Sequence, residues 1–120
     1  MSIEKNYYVI AGYDLTGYQT DNYEDWKWTD DGEYYHCGPE GETIQLFDDP
    51  MSGGHLYLGH ILARGDEYCF ETTKLSVGDI LDMAIRMRVK EKLHNLIEAG
   101  VINAAADSAD YQVIIFEECY

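Results

Sequence analysis

Three histidines, His36, His55 and His60, lie near carboxylates in this chain of 120 residues, and side chains of that kind hold metals or move protons. Their spacing fits neither use. There is no H-E-x-x-H, G-x-S-x-G, G-x-x-x-x-G-K or EF-hand loop, and Asp30-Asp31-Gly32 lacks the preceding acidic ligands an EF-hand needs. His55 and His60 are five apart, which in a strand sends them to opposite faces. Cys37 follows His36, but acidic neighbours raise a thiol pKa, so packing is its expected task. Cys37, Cys69 and Cys119 are odd in number and have no C-x-x-C spacing, which reads as reduced thiols. The most distinctive local string is DDPMSGGH, from Asp48 to His55. As a catalytic loop it would offer a general base and backbone donors; as a connection it is a glycine-rich turn begun by Asp-Pro. No metal or cofactor is expected, and no residue is assigned as catalytic.

Charge carries a different kind of chemistry. The chain has 23 Asp or Glu against 8 Lys or Arg, a formal charge of −15. A surface this negative repels phosphate backbones and anionic lipid, so neither nucleic acid nor a membrane is expected as a direct partner. No apolar run approaches the roughly 20 residues of a membrane span, and the start, MSIEKNYYVIAGYD, lacks a basic segment followed by an apolar one. The expected location is the cytoplasm. From Asp14 to Asp49 there are 11 acidic residues and the single base Lys27, a local charge of −10 in 36 residues. Half of all the bases, Arg86, Arg88, Lys90 and Lys92, sit together much later.

Tyr18, Tyr23, Trp26, Trp28, Tyr34 and Tyr35 are interleaved with the acids. Carboxylates on a fixed frame repeat the charge of a nucleic-acid backbone, and aromatics supply the anchors that dominate protein interfaces. The bland alternative is a solvated acidic surface whose aromatics pack inward. The expected partner-binding residues are Asp21, Glu24, Asp25, Trp26, Trp28, Asp30, Asp31, Glu33, Tyr34, Asp48 and Asp49.

The elements that must position these residues follow from periodicity. The expectation is one domain over residues 1–120, of α+β class, with a mostly antiparallel sheet of five or six strands packed on one long amphipathic helix. Lys5 to Asp14 (KNYYVIAGYD) is apolar enough for a strand buried over much of its length. Residues 15–25 read as an extended loop. Trp26 to Thr29 and Glu33 to Cys37 suggest a hairpin about Asp31-Gly32. Glu42 to Phe47 alternates as a strand, and DDPMSGG follows as a loop. His55–Ala63 and Glu67–Lys74 flank Arg64-Gly65-Asp66 as a second hairpin. Val77, Leu81, Ile85, Val89, Leu93 and Ile97 recur every four residues, predicting a helix over about 76–99 with Ser76 as N-cap and Gly100 as stop. Residues 101–110 suit a turn or short helix, and Tyr111–Glu117 (YQVIIFE) reads as a strand in mid-sheet.

The extreme acidity, the YYVIAGYD opening, the aromatic and acidic middle and the single amphipathic helix resemble the small accessory proteins of phages and prophages, among them anti-CRISPR and other anti-defence proteins. The likeness is one of style over the whole chain and carries no shared motif. It implies a stoichiometric, non-catalytic inhibitor of a basic host nuclease, a CRISPR effector included, acting as a mimic of DNA in the nucleic-acid groove. Two alternatives use the same residues differently: an immunity protein or antitoxin against a basic toxin nuclease, or a small enzyme or ligand-binding domain using the Asp48–His55 loop. A homo-oligomer built on the helix stripe is a further possibility.

Overall fold

The computed structural model describes residues 5–37, 41–49, 54–66 and 74–119. Four strands form one antiparallel sheet: β1 (Lys5–Asp14), β2 (Ile44–Asp49), β3 (His55–Asp66) and β4 (Gln112–Cys119), in the order β2-β3-β1-β4. Among the described residues this is fewer than the five or six expected. The two longest strands take the middle, and a register shift between Val9 and Ile10 leaves Leu62 of β3 without an opposite residue.

Both faces of the sheet are apolar, which is why β1 reads as a continuous run instead of an alternation. One face sets Tyr13, Leu15, Ile44, Leu46, Leu56 and Leu58 against Val89, Leu93 and Leu96 of the main helix. Each fully buried aliphatic there contributes about 1.5–3 kcal/mol. The other face gathers Tyr8, Ile10 and Phe47 with the half-buried Tyr57, Ile61, Ile114 and Phe116. Its rings pack closely, with Tyr8 4.9 Å from Phe47 and Phe116 4.9 Å from Tyr57, centroid to centroid.

The predicted helix over 76–99 is two helices. A short α3 (Val77–Ile80) begins at Ser76, whose hydroxyl accepts from the Asp79 amide at 3.1 Å. Asp82 then caps the long α4 (Met83–Glu98), accepting from the amides of Ala84 and Ile85. An extended N-cap residue in mid-pattern breaks the helix, so the stripe loses its first third: Val77 and Leu81 are 70 % and 68 % exposed. The stop is as expected. Gly100 takes φ +78°, its amide reaches the Ile97 carbonyl, and the Val101 amide reaches that of Leu96, a Schellman closure.

Three other expectations are corrected. The Asp31-Gly32 hairpin is instead helical, with α1 (Tyr23–Trp26) and α2 (Asp30–Cys37) inside the stretch read as loop and hairpin. The Thr29 carbonyl accepts the Glu33 amide and its hydroxyl accepts the Gly32 amide, so Thr29 acts as the cap. Asp30, Asp31 and Glu33 then fill the first turn, where the helix dipole favours anions. Arg64-Gly65-Asp66 is not a turn but the last part of β3, paired with Tyr8, Tyr7 and Asn6. The strand expected at Glu67–Lys74 lies almost wholly outside the described residues. Finally, among the described strands β4 ends the order, with β1 as its neighbour, and is not in mid-sheet. The short helix expected after Gly100 is present as a 3-10 turn, Ala104–Ser108.

Candidate acidic docking surface

Helices α1 and α2 form a small lobe packed against β2, at the edge of the sheet far from β4. Four residues carry helix α1, too few to hold by their own hydrogen bonds, so the lobe depends on what anchors it. Tyr23 is the anchor: only 2 % exposed, it donates its hydroxyl to Asp48 Oδ2 of β2 at 2.9 Å. Burial first, and the Asp48 charge second, push the Tyr23 phenol far above its usual range, so it stays a donor. Lys27 Nζ lies 3.4 Å from the same carboxylate and 3.1 Å from Glu24. Trp26 is half-buried between Tyr23 and Tyr35, at 6.0 and 5.5 Å.

The outer side of the lobe is where the expected site residues gather. Asp21, Glu24, Asp25, Asp30, Asp31 and Glu33 are all exposed, as are Trp28 at 82 % and Tyr34 at 49 %. Lys27 sits 5.3 Å over the Trp28 ring and Lys92 of α4 5.0 Å over Tyr34, so each aromatic is steadied by a cation. Trp26 and Asp48 are different: they belong to the lobe's attachment. Asp49 ends β2, and its side chain is outside the described residues.

The basic cluster of α4 is largely spent inside the chain. Arg88 and Lys92 lie 3.3 and 3.6 Å from Glu42, Lys90 lies 3.1 Å from Asp107, and Arg86 stacks 5.0 Å over Tyr111. Among the described residues, no group of three or more acids, histidines or cysteines could hold a metal ion. Of the Asp48–His55 string, the two described side chains at its ends lie on opposite faces of the sheet. Asp48 turns toward Tyr23 on the helix side, whereas His55 stacks on Tyr57 at 4.4 Å and packs on Phe116 on the other face. His60 is on the helix side, with Thr43 Oγ1 2.7 Å from its Nδ1. Sequence reasoning missed Tyr23 and Glu42 as fixings, since nothing local marks a buried phenol or an ion pair made over 46 residues.

Two expected results concern these fixings. Burial raises the Glu42 carboxyl, but the amides of Ile44 and Thr43 and the charges of Lys92 and Arg88 hold it below its ordinary 4.5. A depressed folded pKa contributes stability that is present above the unfolded value and lost as pH falls through the folded one. Glu42→Gln is therefore expected to lower the urea midpoint at neutral pH, and the gap to wild type should narrow as pH falls below the carboxyl's ordinary 4.5 and through its lowered folded value. The second concerns Gly32, where an added Cβ would run into the Trp26 carbonyl oxygen and the Lys27 backbone. Alanine for glycine ordinarily strengthens a helix by about 1 kcal/mol. Here Gly32→Ala is expected to weaken the lobe, seen as faster amide exchange in α1 and α2 while the sheet stays protected.

No helix among the described residues is long and apolar enough to cross a membrane. Compared with family models, with curated proteins and with solved structures, the chain matches none, and its function is read from its own surface.

Proposed function

We propose that the chain is a non-catalytic inhibitor of the phage anti-defence type, which docks its α1–α2 lobe in the nucleic-acid groove of a basic nuclease, a CRISPR effector being the favoured class. One observation carries this reading: six exposed carboxylates and two exposed aromatics share a lobe pinned to the sheet by Tyr23, Asp48 and Lys27. A phosphate mimic needs its charges on a frame that does not rearrange on binding, because ordering loose side chains at the interface costs about 0.5–1.5 kcal/mol each. The frame here is made of buried rings and one shared carboxylate. Trp28 and Tyr34 stand among the acids as the aromatic anchors that interfaces favour.

The use of internal bases on α4 supports the same reading, since Arg88, Lys90 and Lys92 pair with Glu42 and Asp107 and not with the lobe's exposed carboxylates. The test is competition. A purified nuclease with a basic groove should be inhibited at one chain per site, and adding its nucleic-acid substrate in excess should relieve inhibition. Turnover-dependent inactivation, or inhibition indifferent to substrate, would count against groove occupancy.

A further inference from the structure

A second group of side chains, outside the docking lobe, closes a cleft between α4 and the tyrosines it crosses. Arg86 and Lys90 are four residues apart on α4, so they lie on one face of it. The Arg86 guanidinium sits 5.0 Å over the Tyr111 ring, and the Lys90 ammonium 5.4 Å over that of Tyr13. Tyr13 is buried and meets Tyr111 edge-on at 5.5 Å, which fixes both rings. Met83 and Met87, 61 % and 68 % exposed, join these four in lining a cleft of about 360 Å³. The Tyr111 hydroxyl is buried and has no hydrogen-bond partner among the described residues. Burial first, and the neighbouring Tyr13 second, raise its pKa, so the phenol adds no negative charge to the cleft.

The two cations are used differently. Lys90 donates to the Asp107 backbone carbonyl at 2.7 Å and lies 3.1 Å from the Asp107 carboxylate, which His94 also meets at 2.7 Å. Arg86 is exposed and has no ion pair among the described residues. With Asp107 in the lining as well, two cations and one carboxylate leave the cleft one positive charge in a chain of −15. Asp82, whose charge also reaches Tyr111, is turned to the amides of Ala84 and Ile85. Arg86 is therefore the group in the cleft that a ligand can still neutralise.

We propose that this cleft binds a small organic monocarboxylate with an aromatic body, its carboxylate on Arg86 and its ring against Met83 and Met87. A guanidinium presents a planar fork that meets a carboxylate with two parallel hydrogen bonds, and stacking on Tyr111 holds that fork in place beforehand. The two thioethers adapt to a ring laid on them and favour contact with it. Charge sets the class: one positive charge balances one negative, whereas a phosphate dianion would bring a second into a chain already strongly negative. An uncharged ring would cover Arg86 without giving it an acceptor, which is costly for a charged donor. The volume is about twelve times the roughly 30 Å³ share of a water molecule, room for about a dozen heavy atoms. This inference stands whatever the lobe binds.

Titration of the full chain with naphthoate, read by amide NMR shifts and by calorimetry, tests it. Naphthoate is expected to bind at one site with a dissociation constant of about 1 mM or below, the strength that roughly a dozen heavy atoms reach at ordinary ligand efficiency. The amides of Arg86, Met87 and Tyr111 should shift. Naphthalene methanol, the uncharged analogue, should bind at least about tenfold more weakly, and naphthyl phosphate no more tightly than naphthoate. These comparisons use the wild-type chain and need no variant to fold. Arg86→Gln should weaken naphthoate at least about tenfold while keeping the wild-type circular dichroism spectrum, since the Arg86 side chain is exposed. No binding at ten times the expected constant overturns the proposal, as do shifts confined to other surfaces. Equal binding of the uncharged analogue, tighter binding of the phosphate, or an Arg86→Gln chain that binds naphthoate as well as wild type would each overturn it too.

Discussion

Converting Asp21, Glu24, Asp25, Asp30, Asp31 and Glu33 to their amides is expected to weaken binding to a basic-groove partner at least about 100-fold, or some 2.7 kcal/mol. The fold should be unaffected or slightly more stable. Each of these carboxylates is exposed, and among the described residues only Glu24 of the six has an ion pair, with Lys27 at 3.1 Å. That pair is surface-bound, with the Glu24 side chain 74 % exposed, and exposed pairs contribute little. Six like charges within a few turns of helix repel one another, so neutralising them relieves strain in the free protein. Against a partner they act together, speeding encounter and matching positive potential. Isothermal titration for binding and a urea melt for stability separate the two effects. Loss of both would mean the acids hold the lobe together.

The second large effect lies in the sheet. Gly12 of β1 faces Gly59 of β3, and a Cβ at Gly12 would run into the Leu58 carbonyl oxygen and the Gly59 backbone. In an ordinary strand Gly→Ala restricts the unfolded chain and is mildly favourable. Here the obstacle is backbone at the centre of four strands and has nowhere to move. Gly12→Ala is expected to cost about 3 kcal/mol or more and lower the melting temperature by about 10 °C. Gly78→Ala is the control with opposite sign, since only the Ser76 hydroxyl lies near its added Cβ, at 3.8 Å, and α3 should gain about 1 kcal/mol. Thermal melts of the two variants beside wild type read both predictions.

Periodicity carried much of the fold. The α4 register, its Gly100 stop, the β1 strand and the α+β class are all legible in single residues and their spacing. What spacing could not carry is tertiary choice. Asp82 looks like one more acid in a helical stripe until its side chain turns to cap α4, and only then are Val77 and Leu81 left outside. Asp31-Gly32 fits a hairpin turn and a helix start equally well. The tilted contact of Trp26 with Tyr35 and the packing of α2 against β2 favour the helix, and neither is visible locally. The apolar run of β4 suggested a central strand because a place in mid-sheet and a place at the end of the described order give the same letters. At the candidate site, composition located the acids, while their attachment, Tyr23 to Asp48, joins residues 25 apart. It also moved Asp48 and Trp26 from the outer surface to the foundation.

The salt dependence of partner binding tests charge mimicry most directly. Affinity of the chain for a nuclease with a basic groove would be measured from about 0.1 M to 1 M salt, over which the Debye length falls from about 10 to 3 Å. A docking surface built on the lobe carboxylates predicts that affinity drops steeply across this range, chiefly through slower association, and that the six-fold amide variant is nearly indifferent to salt. Wild-type affinity that is unchanged between the two salt limits would contradict it.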